Sequence, residues 1–161
     1  DCVVPVLVLD DGTILTEVVA ICDYLETLFP EPPLLGSTPV ERAKVLMWNA
    51  KVEQLGLSAM AEAFRNSTKG LSNNAVTGPD SYPQIPELAE RGRQRVASFF
   101  ERLDSELADR EYLAGNFYSM ADISAMVVVD FAAWIKIAVP GEAANLKRWY
   151  GAVSSRPSAA A

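Results

Sequence analysis

The side chains that could do chemistry in this chain are carboxylates and two thiols, because histidine is absent. Its absence excludes the Ser-His-Asp triad, the Cys-His pair and histidine-based metal sites. The two cysteines, Cys2 and Cys22, are too few for a disulfide framework or a thiolate cluster. Asp130 lies in an apolar run and is a candidate functional carboxylate. We favour the alternative that it accepts a hydrogen bond from an Arg or Tyr, or faces a solvated seam.

Ser119 and Asp122 have the spacing of a capping box at the start of the most apolar stretch, Tyr118–Ala138. Tyr118 before the cap and Ile123 after it stand at the positions of a hydrophobic staple. The stretch is apolar on nearly every face, yet it is too short for a membrane span, which needs ~20 residues. We therefore predict a buried central helix whose cap has a structural role rather than a catalytic one.

The composition and net charge of the chain limit the classes of partner that it can bind. The chain has 161 residues, half of them hydrophobic, which is enough for one domain or one domain plus part of another. The net charge of −7 gives no support to a nucleic-acid partner or an anionic membrane surface. We expect no membrane association, since neither a signal peptide nor a transmembrane run is present. The absent histidines and the two cysteines indicate no bound metal and a reducing, cytoplasmic location.

The first residues predict a β-hairpin. Val3–Leu9 is a continuous apolar run, typical of a strand covered on both faces. Asp10–Gly12 is a turn signal and Thr13–Leu15 a second short strand. Pro5 must lie at the start, edge or bend of its strand, and a cis Val4–Pro5 bond fits there.

Helices follow the hairpin. Glu17 is expected in the first turn of a helix that ends at Phe29-Pro30, and a proline-rich linker comes next. The later periodicity predicts helices over 39 to about 66 (loosened near Gly56), 86–109 and 118–138, and a last one ending near 156. Residues 69–84 are expected to form a mobile loop. The predicted fold is α+β and mostly helical, with domain 1–30, linker 31–38 and an all-helical domain 39–161.

Two strands alone make a marginal sheet in water. The chain also begins at Asp1 without a methionine and runs at once into strand-like sequence. We therefore expect a fragment or processed product, lacking an upstream βαβ unit of roughly 30 or more residues.

In order along the chain, these residues resemble the cytosolic glutathione S-transferase family. The resemblance is carried by Val3–Leu7, Asp11-Gly12, Leu15–Glu17 and Ala20–Leu25, then by Ser119–Ile123, Trp149-Tyr150 and Arg156–Ser158, the last two typical of bacterial members. It implies a partial thioredoxin-like hairpin-helix piece followed by the family's helical bundle, and an upstream strand-helix-strand not present here.

The resemblance also implies a glutathione site. Val4, which precedes the cis-proline Pro5, would offer backbone groups to the cysteinyl part, and Glu17 would bind the γ-glutamyl amine. Val18 stands where the family has the Ser or Thr that holds the γ-glutamyl carboxylate. Losing that hydroxyl bond, about 0.5–1.5 kcal/mol net, implies weaker glutathione binding unless Thr16 compensates. The sulfur-activating Tyr, Ser or Cys would lie upstream of Asp1, so no catalytic residue is assigned.

Other positions have two interpretations. By resemblance, Met60 and Phe64 would line an electrophile pocket; core or dimer packing explains them equally well. Trp48 and the helix around Arg42 would serve a homodimer, the family's usual state. Cys22 is expected near a packed face, where thiols are usually inert.

Three functions fit the resemblance. The first is conjugation of glutathione to hydrophobic electrophiles by the complete protein, while a chain truly starting at Asp1 would be inactive. The second is a non-catalytic module that contacts proteins or apolar ligands, favoured by Val18. The third, a glutathione-dependent isomerase, dehalogenase or reductase, shares the same site.

Overall fold

The computed structural model of the protein describes residues 4–159. It begins with an antiparallel hairpin of β1 (Val6–Val8) and β2 (Ile14–Thr16), in which Val6 pairs with Thr16. The turn is held by the Asp11 carboxylate, which accepts from the Thr13 N–H at 2.9 Å. The predicted hairpin is confirmed with a shorter first strand; Val3 lies outside the described residues.

The hairpin is not covered on both faces, contrary to the prediction from its apolar first strand. Val6, Val8 and Ile14 are exposed, whereas Leu7 and Leu15 on the other face are half-buried. Among the described residues, the sheet has two strands, and α1 (Val18–Leu28) packs against β2. One helix on a two-stranded sheet can shield one face only.

Within residues 4–159, the helical part contains five further α-helices. Their bounds, with the short helical turns between them, are α2 (Pro39–Val52), a π-helical turn (Glu53–Leu57), α3 (Ser58–Arg65), α4 (Pro86–Glu106), α5 (Met120–Ala132) and α6 (Ala144–Ser154), with 3₁₀ turns at Lys69–Leu71, Ala133–Ile135 and Pro157–Ala159. The mostly helical α+β architecture predicted from the sequence is confirmed. No helix within residues 4–159 is long and apolar enough to cross a membrane.

Two glycines allow the helices to approach closely. The predicted irregularity near Gly56 is the π-helical turn, and a Cβ added there would lie 2.8 Å from the Phe99 ring. At Gly92 in α4, an added Cβ would lie 2.6 Å from the Ala63 backbone nitrogen. The backbones of α3 and α4 are therefore in near contact at Gly92.

The loop between α3 and α4 is fixed at several points. The Arg65 guanidinium donates to the Asn74 carbonyl at 2.6 Å. The Gln84 amide donates to the carbonyls of Arg65 and Thr68, and the Asn66 side chain accepts from the Ile85 N–H at 2.9 Å. These bonds tie both ends of the loop to α3; its predicted mobility stays a prediction.

The predicted central helix is buried along its first part and exposed at its end. α5 is shorter than predicted: it ends at Ala132, and after the 3₁₀ turn Lys136 takes a left-handed conformation with φ 62°. Phe131 is 38% exposed and Trp134 is 60% exposed. The expectation of an all-buried stretch is wrong there, because an apolar sequence is buried only where neighbouring helices reach it.

A hydrogen bond, an ion pair and an apolar cluster connect α1 to the linker and the helical part. The Leu35 N–H donates to the Glu26 carboxylate at 2.8 Å, and Arg42 of α2 forms an ion pair with Asp23 of α1. Leu35, buried with Val45, Ala114 and Met120, is packed by Val19 and Cys22 of α1. These contacts fix the orientation of α1, and hence of the hairpin end beside it.

Candidate functional site

The four residues predicted to bind glutathione lie at one end of the hairpin. The Val4–Pro5 peptide bond is cis, as the sequence indicated. The antiparallel register pairs Val6 with Thr16. The ladder ends with this pair, so Val4 and Pro5 precede β1 and Glu17 and Val18 follow β2 at the same end of the hairpin. Val4 is 91% exposed, and Glu17 and Val18 are also exposed.

Glu17 has an unusual backbone conformation. Its φ of 67° and ψ of 125° are strained for a residue with a side chain, at a cost of roughly 1–3 kcal/mol. Glu17 is the N-cap of α1 and not a first-turn residue as predicted, because the helix begins at Val18. Such strain concentrates at functional positions, where it sets the direction of backbone and side chain.

The start of α1 can attract an anion. Its first N–H groups have no partner within the helix, and the helix dipole adds partial positive charge. Within residues 4–159 the Glu17 side chain makes no capping bond, so it does not occupy this position. Thr16, the suggested substitute for the missing hydroxyl, lies at the end of β2 with an exposed side chain.

The described thiol is not activated. Cys22 is half-buried on α1, and burial followed by the nearby Glu26 carboxylate raises the pKa of the Cys22 thiol. A raised pKa lowers the fraction of nucleophilic thiolate at neutral pH. This agrees with the expectation that Cys22 is inert, and Cys2 lies outside the described residues.

The Asp122 carboxylate, in the first turn of α5, accepts four hydrogen bonds. Ser119 and Asp122 form the predicted capping box, in which the Ser119 N–H donates to Oδ2 at 3.0 Å and the Ser119 hydroxyl donates to the same oxygen at 2.8 Å. Oδ1 accepts from the Leu113 N–H at 3.0 Å and from Trp149 Nε1 at 2.9 Å. Burial raises the pKa of Asp122, while these bonds act in the opposite direction. All four bonds tie together parts of the fold.

Asp130 has the tyrosine partner that the sequence favoured. Asp130 is exposed and accepts a hydrogen bond from the Tyr150 hydroxyl. This bond, with partial burial, raises the pKa of Tyr150. The pair joins α5 to α6 at the surface.

Met60 and Phe64, predicted for the electrophile pocket, occupy different environments. Met60 is 4% exposed within the helical core, which the packing interpretation describes. Phe64 is half-buried, and its ring centroid lies 5.6 Å from that of Trp134, which in turn stacks on Phe131 at 4.4 Å. Sequence reasoning missed Phe131 and Trp134 because they lie in the stretch predicted to be buried.

The prediction that Trp48 serves a dimer contact is wrong, because the side chain is buried in its own chain. Trp48 is 3% exposed in the core of this chain, with Lys51 and Arg110 over its ring, so it is not available to a partner. Arg42 is held by Asp23. The part of the chain that the structure describes contains no group of three or more Cys, Asp or Glu side chains that could hold a metal ion.

Comparisons with known proteins agree with this arrangement. Residues 53–157 match the family model of the glutathione S-transferase C-terminal domain, and residues 2–33 match that of an N-terminal domain. Glutathione S-transferase 2 of Saccharomyces cerevisiae is 37% identical over 156 residues, 96% of this chain, and the chain spans 64% of that relative's length.

Solved structures of glutathione S-transferases are also similar to this chain. A glutathione S-transferase domain-containing protein of Marinobacter aquaeolei superposes with a TM-score of 0.87 at 35% identity, covering 98% of this chain and 74% of that one. A sphingomonad glutathione S-transferase in complex with glutathione has a TM-score of 0.76 at 26% identity, with coverage of 98% and 70%. The chain therefore belongs to the glutathione S-transferase family.

Proposed function

We propose that the hairpin end of this chain binds glutathione. Val4 offers its backbone groups to the cysteinyl part beside the cis-proline Pro5. Glu17 accepts from the γ-glutamyl amine, and the Val18 N–H at the start of α1 binds the γ-glutamyl carboxylate. The observation that supports this proposal is the hairpin register, whose last pair, Val6 with Thr16, puts the cis Val4–Pro5 peptide bond and Glu17 at the same end of the hairpin.

In the whole protein, we propose that the bound glutathione is conjugated to hydrophobic electrophiles. The thiolate sulfur forms a bond to an electrophilic carbon, which either releases a leaving group with its bonding electrons or, in an addition, yields an anion that takes up a proton from water. Glutathione is consumed as a substrate, and the step requires no metal. Phe64 is proposed to line the electrophile pocket, and Met60 to support it from the core. No residue between 4 and 159 is assigned to activate the sulfur, so the 161 residues by themselves are expected to show no turnover.

The association and location of the protein complete the proposal. We propose that the protein forms a homodimer and is located in the cytoplasm. The apolar side chains that α2 exposes, Val40, Leu46 and Met47, are candidates for a contact between copies in place of Trp48. Sedimentation velocity of the protein, with Met47→Glu as the variant, tests this state directly.

A second candidate function is a non-catalytic, glutathione S-transferase-like module that contacts proteins or apolar ligands. The observation that favours it is Val18, which is exposed at the start of α1 but carries no hydroxyl for the carboxylate. An isomerase, dehalogenase or reductase acting through the same glutathione site is a further alternative. The enzymatic functions require glutathione to bind and the non-catalytic function does not, so binding is measured first.

The test is a calorimetric titration of the whole protein with glutathione. We expect Glu17→Gln to weaken binding about tenfold, because a charge-assisted bond contributes roughly 1.5 kcal/mol or more. Val18→Ser restores a hydroxyl and is expected to tighten binding by up to about tenfold.

Glu111→Gln is the matched control, since Glu111 is an exposed acid in the segment between α4 and α5. Equal affinities for the Glu17 and Glu111 variants would remove Glu17 from the site. Absence of binding heat in the wild-type protein would instead favour the non-catalytic function.

A further inference from the structure

The proposed active site is divided between two parts of the fold. The glutathione residues lie at the hairpin end and the start of α1, whereas Phe64, proposed for the electrophile pocket, lies in α3. The sulfur and an electrophilic carbon react when they approach to about 3–3.5 Å in the right direction, and a misplacement of about 1 Å lowers the rate by up to about a hundredfold. Turnover therefore depends on how α1 is held against the helical part.

One peptide unit of the linker joins α1 to α5. The Leu35 N–H donates to both oxygens of the Glu26 carboxylate, at 2.9 and 2.8 Å. The Leu34 carbonyl of the same unit accepts from the Met120 N–H at 3.0 Å. Because the N–H and C=O groups of a trans peptide point in opposite directions, the unit is bonded to the last turn of α1 on one side and to the first residue of α5 on the other. The two bonds polarise the peptide in the same direction and so strengthen each other.

The Leu35 side chain supports the same junction. It is 1% exposed and is packed by Met120 of α5 and by Val19, which follows Val18 in the first turn of α1. Further along α1, a cavity of about 300 Å³ lies between Leu25 on that helix and Met120 on α5. The Glu26 bond therefore spans a gap in the apolar packing between the two helices.

Glu26 provides the stronger of the two polar links between α1 and the rest of the chain. It is half-buried, and a hydrogen bond to a charged acceptor favours the bonded arrangement by about tenfold or more. Within residues 4–159 Glu26 forms no ion pair, so its carboxylate acts as a hydrogen-bond acceptor. The ion pair of Arg42 with Asp23 is exposed to solvent and contributes less.

On the basis of the proposed function, we propose that Glu26 is a positioning residue for the conjugation step. Its bond to the linker peptide fixes the angle between α1 and α5, and so places the sulfur of bound glutathione against an electrophile beside Phe64. Glu26 lies eight residues after Val18, about 12 Å along the helix, and does not touch the glutathione site. Loss of its bond is therefore expected to lower turnover and to leave the affinity for glutathione nearly unchanged.

The test follows conjugation of glutathione to chlorodinitrobenzene, an aromatic electrophile, by the whole protein. The thiolate sulfur forms a bond to the ring carbon, and chloride leaves with the bonding electrons. At saturating glutathione, Glu26→Ala is expected to lower kcat/KM for the electrophile about tenfold or more, with the Kd for glutathione within about twofold of the wild-type value. A residue that served stability alone would change neither quantity in the folded fraction of the protein.

Two conservative variants separate the hydrogen bond from the charge. Glu26→Gln keeps an oxygen acceptor at the same reach and is expected to retain kcat/KM within about threefold. Glu26→Asp keeps the charge on a side chain one methylene group shorter and is expected to behave like Glu26→Ala. Activity that the Asp variant retains and the Gln variant loses would overturn the proposal.

Glu31→Gln is the matched control, because Glu31 is an exposed acid of the same linker. Its expected kcat/KM lies within about twofold of the wild-type value. Equal effects of Glu26→Ala and Glu31→Gln would contradict a positioning role for Glu26.

Hydrogen exchange of the folded protein gives a second measurement. Glu26→Ala is expected to speed exchange of the Leu35 and Met120 amides, since the two bonds of the peptide strengthen each other, and to leave the interior amides of α4 unchanged. Faster exchange throughout the chain would show general destabilisation and overturn the positioning role.

The wild-type protein distinguishes failure of this role from failure of the proposed function. Wild-type protein that binds no glutathione or shows no turnover would overturn the proposed function and the role of Glu26 with it. Wild-type turnover that Glu26→Ala leaves intact would overturn the role of Glu26 alone.

Discussion

Two acidic residues at helix starts, Glu17 before α1 and Asp122 in α5, are used in opposite ways. Asp122 is fully buried, and its two oxygens accept four hydrogen bonds. Glu17 is exposed and strained at φ 67°, and within residues 4–159 its side chain makes no capping bond. A helix start whose first backbone N–H groups are satisfied within the protein stabilises the fold, whereas a helix start whose N–H groups have no side-chain cap can bind a ligand.

The largest effect on stability is expected from removal of the Asp122 carboxylate. Asp122→Ala leaves the Leu113 N–H, the Ser119 N–H and the Trp149 indole N–H buried without their acceptor. Each unsatisfied buried group costs about 1–3 kcal/mol, so we expect the free energy of unfolding to fall by at least about 3 kcal/mol. Urea denaturation followed by far-ultraviolet circular dichroism measures the change.

Asp130→Asn is the control for this variant, because Asp130 is exposed and contacts one side chain, Tyr150. Its expected effect is about 1 kcal/mol or less. If both variants were equally stable, the Asp122 network would contribute nothing beyond an ordinary surface bond.

The Asp122 network also shows what local sequence can predict. The spacing of Ser119 and Asp122 is a local pattern, and it predicted the capping box. Leu113 lies nine residues before Asp122 and Trp149 lies 27 residues after it. The Trp149 bond depends on how α6 packs against α5, and the Leu113 bond depends on how the segment before α5 folds back onto it. Neither arrangement can be read from local spacing.

The hairpin end shows a similar division. A turn signal between two apolar runs predicted the hairpin, and the position of Pro5 in its strand indicated the cis bond. The left-handed backbone of Glu17 was not predictable, because residue propensity disfavours a side chain at positive φ. The exposure of Phe131 and Trp134 was missed for a related reason: periodicity identifies apolar faces but not the neighbours that cover them.

A smaller effect is expected from the indole donor alone. Trp149→Phe keeps most of the buried ring and removes the N–H that reaches Asp122 at 2.9 Å. We expect a loss of about 1–2 kcal/mol in the free energy of unfolding, from the lost hydrogen bond and a small cavity. Circular dichroism during urea denaturation is the measurement, because tryptophan fluorescence changes with the substitution.

Trp134→Phe provides the matched comparison, since Trp134 is 60% exposed on the 3₁₀ turn after α5. Its expected effect on stability is within about 0.5 kcal/mol. A loss as large as that of Trp149→Phe would show that ring size, rather than the bond to Asp122, sets the cost.

The smallest effect on stability is expected from a substitution of Glu17. Glu17→Gly removes the side chain at φ 67°, a conformation that glycine adopts without strain. We expect the free energy of unfolding to rise by up to about 1 kcal/mol, while glutathione binding weakens about tenfold or more. Stability that rises while affinity falls is the expected behaviour of a strained binding residue. A variant that loses stability and keeps its affinity for glutathione would show that Glu17, like Asp122, serves the fold.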